Sequence, residues 1–205
     1  MNRNHFLTII PLLLGLLPTL VNAAPTVIDD FESIDGWVVA PSSGVEMSLS
    51  KVEGEDGRPG GALRVDFNFA KGSGFAVVRR ELKLPLDENY QFSYSIRGEG
   101  RRNTLEFKLF DPSNDNVWWV NTRGFEFPKD WKRITHKKRH LSFAWGPSGG
   151  KPLEAVHAIE IAITAGEGGS GYILLDSMLY EPLAPIDPNP GPVRISVSSS
   201  AADMK

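Results

Sequence analysis

The sequence predicts an all-β chain folded as an antiparallel sandwich of two sheets. Three observations predict it. Apolar residues recur with period two in one segment after another. No segment beyond residue 24 sustains the 3.6-residue period of a helix. Turn clusters rich in Gly, Asn, Asp and Pro separate the segments.

The elements follow in chain order. Val27–Glu32 and Val45–Lys51 are the first strand candidates. Leu63, Val65, Phe67 and Phe69 then alternate with Arg64, Asp66 and Asn68. Phe75–Leu82 is a further candidate. Tyr90, Phe92, Tyr94 and Ile96 alternate with Gln91, Ser93, Ser95 and Arg97. Leu105, Phe107 and Leu109 alternate with Thr104, Glu106 and Lys108. Val117–Thr122 and Trp131–His136 come next. Ile159, Ile161 and Ile163 alternate with Glu160, Ala162 and Thr164, and Tyr172–Glu181 closes the set. Turns fall at Gly54–Gly61, Lys71–Gly74, Gly98–Arg102, Asp111–Asn116, Gly146–Lys151 and Gly166–Gly171. About ten strands with one apolar face each cannot all be buried in a single open sheet, so two sheets must face one another.

Residues 1–23 predict a secretory signal. Arg3 gives the positive start, Phe6 to Val21 is almost wholly apolar, and Val21-Asn22-Ala23 supplies small residues at the cleavage positions. The apolar run is short for a membrane span of roughly 20 residues. Cysteine is absent, which excludes a disulfide scaffold, a thiolate metal site and a cysteine nucleophile. An exported chain of this kind is expected in a bacterial cell envelope or outside the cell. The net charge of -3 gives no general attraction for nucleic acid. The sandwich domain is expected over residues 24–183. Residues 184–205 read as a stiff linker, with four prolines in the nine residues 184–192, and a tail that could open a further domain.

Asp30-Phe31-Glu32 followed by Trp37, with the closing run Tyr172-Ile173-Leu174-Leu175-Asp176-Ser177-Met178-Leu179, resembles the galactose-binding-like jelly-roll modules. These include carbohydrate-binding module families 4, 11 and 22. The chain is also similar to the N-terminal module of large secreted bacterial proteins that carry a discoidin (factor 5/8 type C) domain. That likeness rests on Asn116-Val117-Trp118-Trp119, Phe125-Glu126-Phe127-Pro128, Lys137–Leu141, Phe143-Ala144-Trp145-Gly146-Pro147 and Ile159–Thr164. The resemblance implies a polysaccharide- or oligosaccharide-binding role and a neighbouring domain. It also implies a structural calcium ion between the first and last strands, with Asp30, Glu32 and Asp176 as its oxygen ligands. Where such modules commonly carry Asp-Asp, this chain has Asp176-Ser177.

Sugar binding calls for flat rings and fixed polar groups on a face that is not core. The outward alternates Arg97, Glu106, Lys108 and Glu160 are the candidates for a mixed-charge patch, on the condition that their strands share a sheet. Adjacent tryptophans on a strand face opposite sides, so one of Trp118 and Trp119 must leave the core. Val117 and Trp119 share a face that reads as core, which makes Trp118 the expected ring platform. Trp145 is expected in a rim loop, and Trp37 and Trp131 in the core. The basic run Lys132, Arg133, Lys137, Lys138 and Arg139, with His136 and His140, fits either an anionic polysaccharide or a guarded edge strand. No glycosidase carboxylate motif or Gly-x-Ser-x-Gly elbow occurs, and the four histidines show no metal spacing. The expected function is a non-catalytic carbohydrate-binding module that targets a larger protein to polysaccharide. The alternatives are a module that packs on a neighbouring domain, and a lyase or hydrolase on the same sandwich.

Overall fold

The computed structural model describes residues 24–54 and 60–186. The expected signal peptide and nearly all of the linker and tail lie outside them. Twelve strands form two antiparallel sheets. The first sheet holds β3 (Glu46–Glu53), β4 (Gly61–Phe69), β12 (Gly169–Pro182), β6 (Tyr90–Glu99) and β9 (Lys132–Lys137) in that order, with β1 (Thr26–Asp29) also paired to β12. The second runs β10 (Ser142–Trp145), β8 (Val117–Phe125), β7 (Asn103–Phe110), β11 (Ala155–Thr164), β5 (Phe75–Pro85), β2 (Trp37–Val39). The two-sheet sandwich is as the sequence predicts. The period-two strands crossed the threshold of legibility, but β2 and β10 did not, because three and four residues are too few to display a period.

Alternation decides what fills the space between the sheets. Leu63, Val65, Phe67 and Phe69 of β4 meet Leu105, Phe107 and Leu109 of β7 and Ile159, Ile161 and Ile163 of β11 in one core. Tyr90, Phe92, Tyr94 and Ile96 of β6 complete it, all at most 2% exposed. Fully burying one such side chain stabilises the fold by about 1.5–3 kcal/mol.

β12 is the organising strand of the first sheet. Its first half pairs with β4 and its second half with β1, while β6 runs along its other flank. The register shifts between Asp176 and Leu179, where Ser177 has a positive φ of 52°. This bulge lets one long strand serve two neighbours on the same side.

One buried side chain shapes the loop before β12. Asn103 is 0% exposed. Its Oδ1 accepts from the amides of Gly166 (2.8 Å) and Gly168 (3.0 Å), and its Nδ2 donates to the carbonyls of Arg101 and Gly168. Asn103→Ala should cost about 2 kcal/mol in a urea titration, because two amides and two carbonyls lose their partner. A loss below about 0.5 kcal/mol would show that the loop holds itself.

β9 lies at the edge of the first sheet, so Lys132, Arg133 and Lys137 sit on an edge strand, and Lys138–His140 form the turn after it. Arg133 donates to Ser93 Oγ and to the Ser177 carbonyl, and Lys138 to the Glu88 carbonyl. Trp37 is core as expected, and Trp131 is partly buried. Among the described residues no helix is long and apolar enough to cross a membrane.

Candidate functional site

The outer face of the second sheet gathers the chemistry. Strand register places Trp119 of β8, Lys108 of β7, Glu160 of β11 and Arg79 of β5 in one row across four strands. The next row holds Asn121, Glu106, Ala162 and Val77. Antiparallel pairing with inward Leu, Phe and Ile alternates forces these side chains outward together.

The charges in these rows pair with one another. Lys108 Nζ lies 2.8 Å from Glu106 Oε2 and 4.0 Å from Glu160 Oε2. Arg79 Nη1 lies 3.0 Å from Glu160 Oε1. Glu106 Oε1 also accepts from Asn121 Nδ2 (3.1 Å) and Thr164 Oγ1 (3.3 Å). Arg79 donates to Asn114 Oδ1 and stands over the Phe110 ring at 4.4 Å. Two carboxylates and two cations therefore form a neutral chain of ion pairs, with every member shielded to 15% side-chain exposure or less. Shielded charges stay in place because each is paired. They present fixed donors and acceptors to a ligand.

Aromatic rings flank this polar floor. Trp119 and Trp145 meet edge to face with centroids 5.8 Å apart. Trp145 is 47% exposed, and Lys108 Nζ sits 5.8 Å from its ring. On the opposite side Phe75 is 44% exposed. The groove between them has a volume of about 430 Å³, with Val77 and Ala40 in its lining.

The structure brings together Glu106, Lys108 and Glu160 and separates the other two predicted site residues from them. Arg97 belongs to β6 in the first sheet, where its Nε donates to the Lys129 carbonyl. Parity says that a residue faces outward but not from which sheet. Trp118 faces the core, 8% exposed, against Phe143. The expectation fails because Val117 does not mark the core face. Val117 is buried on the outer face, in a small cluster with Phe110, Ala158 and Ala144. Trp119 therefore takes the place expected of Trp118. Trp145 lies on strand β10, with a partner in Val117, rather than in a loop. Arg79 and Phe75 lay inside a predicted strand whose two faces both mix apolar and polar residues, so their orientation left no signal.

The residues expected for calcium do not fit it. Asp30 is exposed, and its Oδ1 accepts the Glu32 amide. Glu32 Oε1 accepts the Gly61 amide at 3.1 Å, and Oε2 lies 3.9 Å from Lys51 Nζ. Asp176 Oδ1 accepts from Ser177 Oγ. Among the described residues no three His, Cys, Asp or Glu side chains gather as calcium's six to eight oxygens require. The carboxylate that ties the first strand inward is Asp29. It is 6% exposed and binds the Phe31 amide (2.7 Å), Trp37 Nε1 (2.8 Å) and the Arg80 guanidinium. Arg80 supplies from β5 the positive charge that a metal would bring, and thereby joins the two sheets.

No protein-family model matches the sequence, and no curated protein matches it. Solved structures do. The family 11 carbohydrate-binding module of a cellulosomal cellulase of Clostridium thermocellum superposes with a TM-score of 0.60 at 17% identity, over 80% of this chain and 98% of that one. The family 11 module from Clostridium thermocellum in complex with a β-1,3-1,4-mixed-linked tetrasaccharide gives 0.61 at 18%, over 76% and 94%. An exo-β-agarase gives 0.56 at 13%, over 80% of this chain and 26% of the enzyme. The chain thus has the jelly-roll β-sandwich fold of the family 11 carbohydrate-binding modules.

Proposed function

We propose that the chain is an exported, non-catalytic carbohydrate-binding module that targets a larger protein to polysaccharide through the outer face of its second sheet. The observation that carries this reading is the pairing of the exposed Trp145 ring and the partly buried Trp119 ring with the neutral Glu106–Lys108–Glu160–Arg79 chain in one groove. C–H faces of pyranose rings stack on aromatic rings, and hydroxyls take up the remaining donors and acceptors. The groove has no surplus cation for an anionic sugar, so a neutral glycan suits it.

Affinity electrophoresis of the full chain on a panel including mixed-linked β-glucan and agarose tests this. Dissociation constants of about 10 μM–1 mM are expected for a shallow site. Trp145→Ala and Trp119→Ala should each weaken retardation about tenfold, the loss of roughly 1.4 kcal/mol of stacking, with unchanged cooperative unfolding. If no glycan retards the chain, the reading fails. The exposed Phe75 and Val38 on the groove's side of the sheet favour the second reading, in which a neighbouring domain covers this face.

A further inference from the structure

The opposite face of the sandwich carries an arrangement that the groove does not use. On the outside of the first sheet, register sets Ser48, Asp66, Tyr172 and Glu99 in one row across β3, β4, β12 and β6. Glu46, Asn68 and Ser170 form the row beside it. Two hollows of about 490 and 470 Å³ open here, and both are walled by Ser170, Gly171 and Tyr172. The partly buried Tyr172 side chain therefore stands between them as a partition.

The polar groups around this ring are fixed. The Arg64 guanidinium lies 4.0 Å from the Tyr172 centroid and grips both oxygens of Asp66, at 2.7 to 3.1 Å. Asn68 Nδ2 donates to Glu46 Oε2 at 3.0 Å. Such pairs cost little further ordering when a ligand arrives. Three carboxylates, Glu46, Asp66 and Glu99, stand against Arg64 and Arg101 in the two linings and their neighbourhood, which disfavours a polyanion. A ring edged by an ion pair, an amide–carboxylate pair and a serine suits the hydroxyls and C–H faces of an uncharged sugar.

We infer that the Tyr172 face is a second binding site for a neutral glycan strand, separate from the groove of the other sheet. This inference rests on the carbohydrate reading above. The two sheets stack about 10 Å apart, and their outer faces point in opposite directions. One copy can therefore hold two glycan strands at once, which raises avidity on a matrix and draws the strands together.

The test is a titration of the ¹⁵N-labelled full chain with a β-1,3-1,4-linked tetrasaccharide and with an agaro-oligosaccharide, followed by amide shifts on both faces. The expected result is shifts on β3, β4 and β12 around Tyr172 as well as on β7, β8 and β11. Tyr172→Ala should weaken the first set about tenfold or more and leave the second unchanged. Trp119→Ala should do the reverse. Asn68→Ala, which spares the ring, should weaken the Tyr172 set alone. Shifts confined to the groove overturn the second site and leave the first reading standing. Shifts on neither face overturn both.

Discussion

Replacing Asp29 with alanine is expected to lower the free energy of unfolding by about 3–5 kcal/mol. The carboxylate is nearly fully buried and holds three donors, one from its own turn and two from the second sheet: the Phe31 amide, the Trp37 indole and the Arg80 guanidinium. Removing it leaves an indole N–H without a partner and a partly buried cation without a counter-charge, and burial already pushes the Arg80 pKa down. It also frees the turn in which Phe31, 0% exposed, takes a positive φ of 58° and stacks on Trp37 at 5.5 Å. That backbone state is costly for a bulky residue, and the Asp29–Phe31 hydrogen bond helps to hold it. Chemical denaturation of the variant measures the loss. Asp30→Ala, which touches only an exposed turn, should stay within about 0.5 kcal/mol. Adding Arg80→Met to Asp29→Ala should recover part of the loss, since the stranded charge goes with it. A loss below about 1 kcal/mol for Asp29→Ala would show that the sheets hold together without this link.

The second large effect is expected in acid. His136 of β9 is 7% exposed, stacks on Phe107 at 4.8 Å and faces the Tyr94 hydroxyl at 3.4 Å. Burial, assisted by the charge of His140, pulls its pKa from the usual 6.5 down to about 4. The sign follows from linkage. Above pH 6.5 the imidazole is neutral in both states, and its contribution is complete. Between 6.5 and 4 the unfolded chain takes up a proton that the folded chain refuses, so stability falls as the pH drops. The shift corresponds to about 3 kcal/mol lost across that window. His136→Phe keeps the ring stack and removes the titration. Its stability should fall less steeply than that of the parent between pH 6.5 and 4, when both are unfolded in urea at a series of pH values. Parallel profiles would contradict this account.

Much of the fold was legible because period-two alternation states directly which residues face the core. Leu105, Phe107 and Leu109 pointed inward as read, and Glu106, Lys108 and Glu160 outward. What alternation leaves out is the third dimension. Nothing local in Tyr90–Arg97 says that β6 joins β12 rather than β7, and the condition that Arg97 share a sheet with Glu106, Lys108 and Glu160 is not met. The choice between Trp118 and Trp119 turned on Val117, and a second, smaller apolar cluster on the outer face inverted it. Asp29 and Asp30 are chemically alike and adjacent. Only the path of the chain decides that the first is locked inside and the second faces water.

The pairing of β1 with β12 has a mechanical consequence. Thr26 lies opposite Tyr180 and Asp29 opposite Met178, so the chain enters and leaves the sandwich side by side at one end. Tension between the segments before Thr26 and after Pro182 would load this antiparallel pair one hydrogen bond at a time, as a zipper is opened, rather than shearing all of them together. β1 is only four residues long. Its last residue is Asp29, bolted across the sandwich to Arg80. A pull would therefore release a few residues at low force and then meet a fixed stop, and the second sheet would bear none of the strain until that stop gave way.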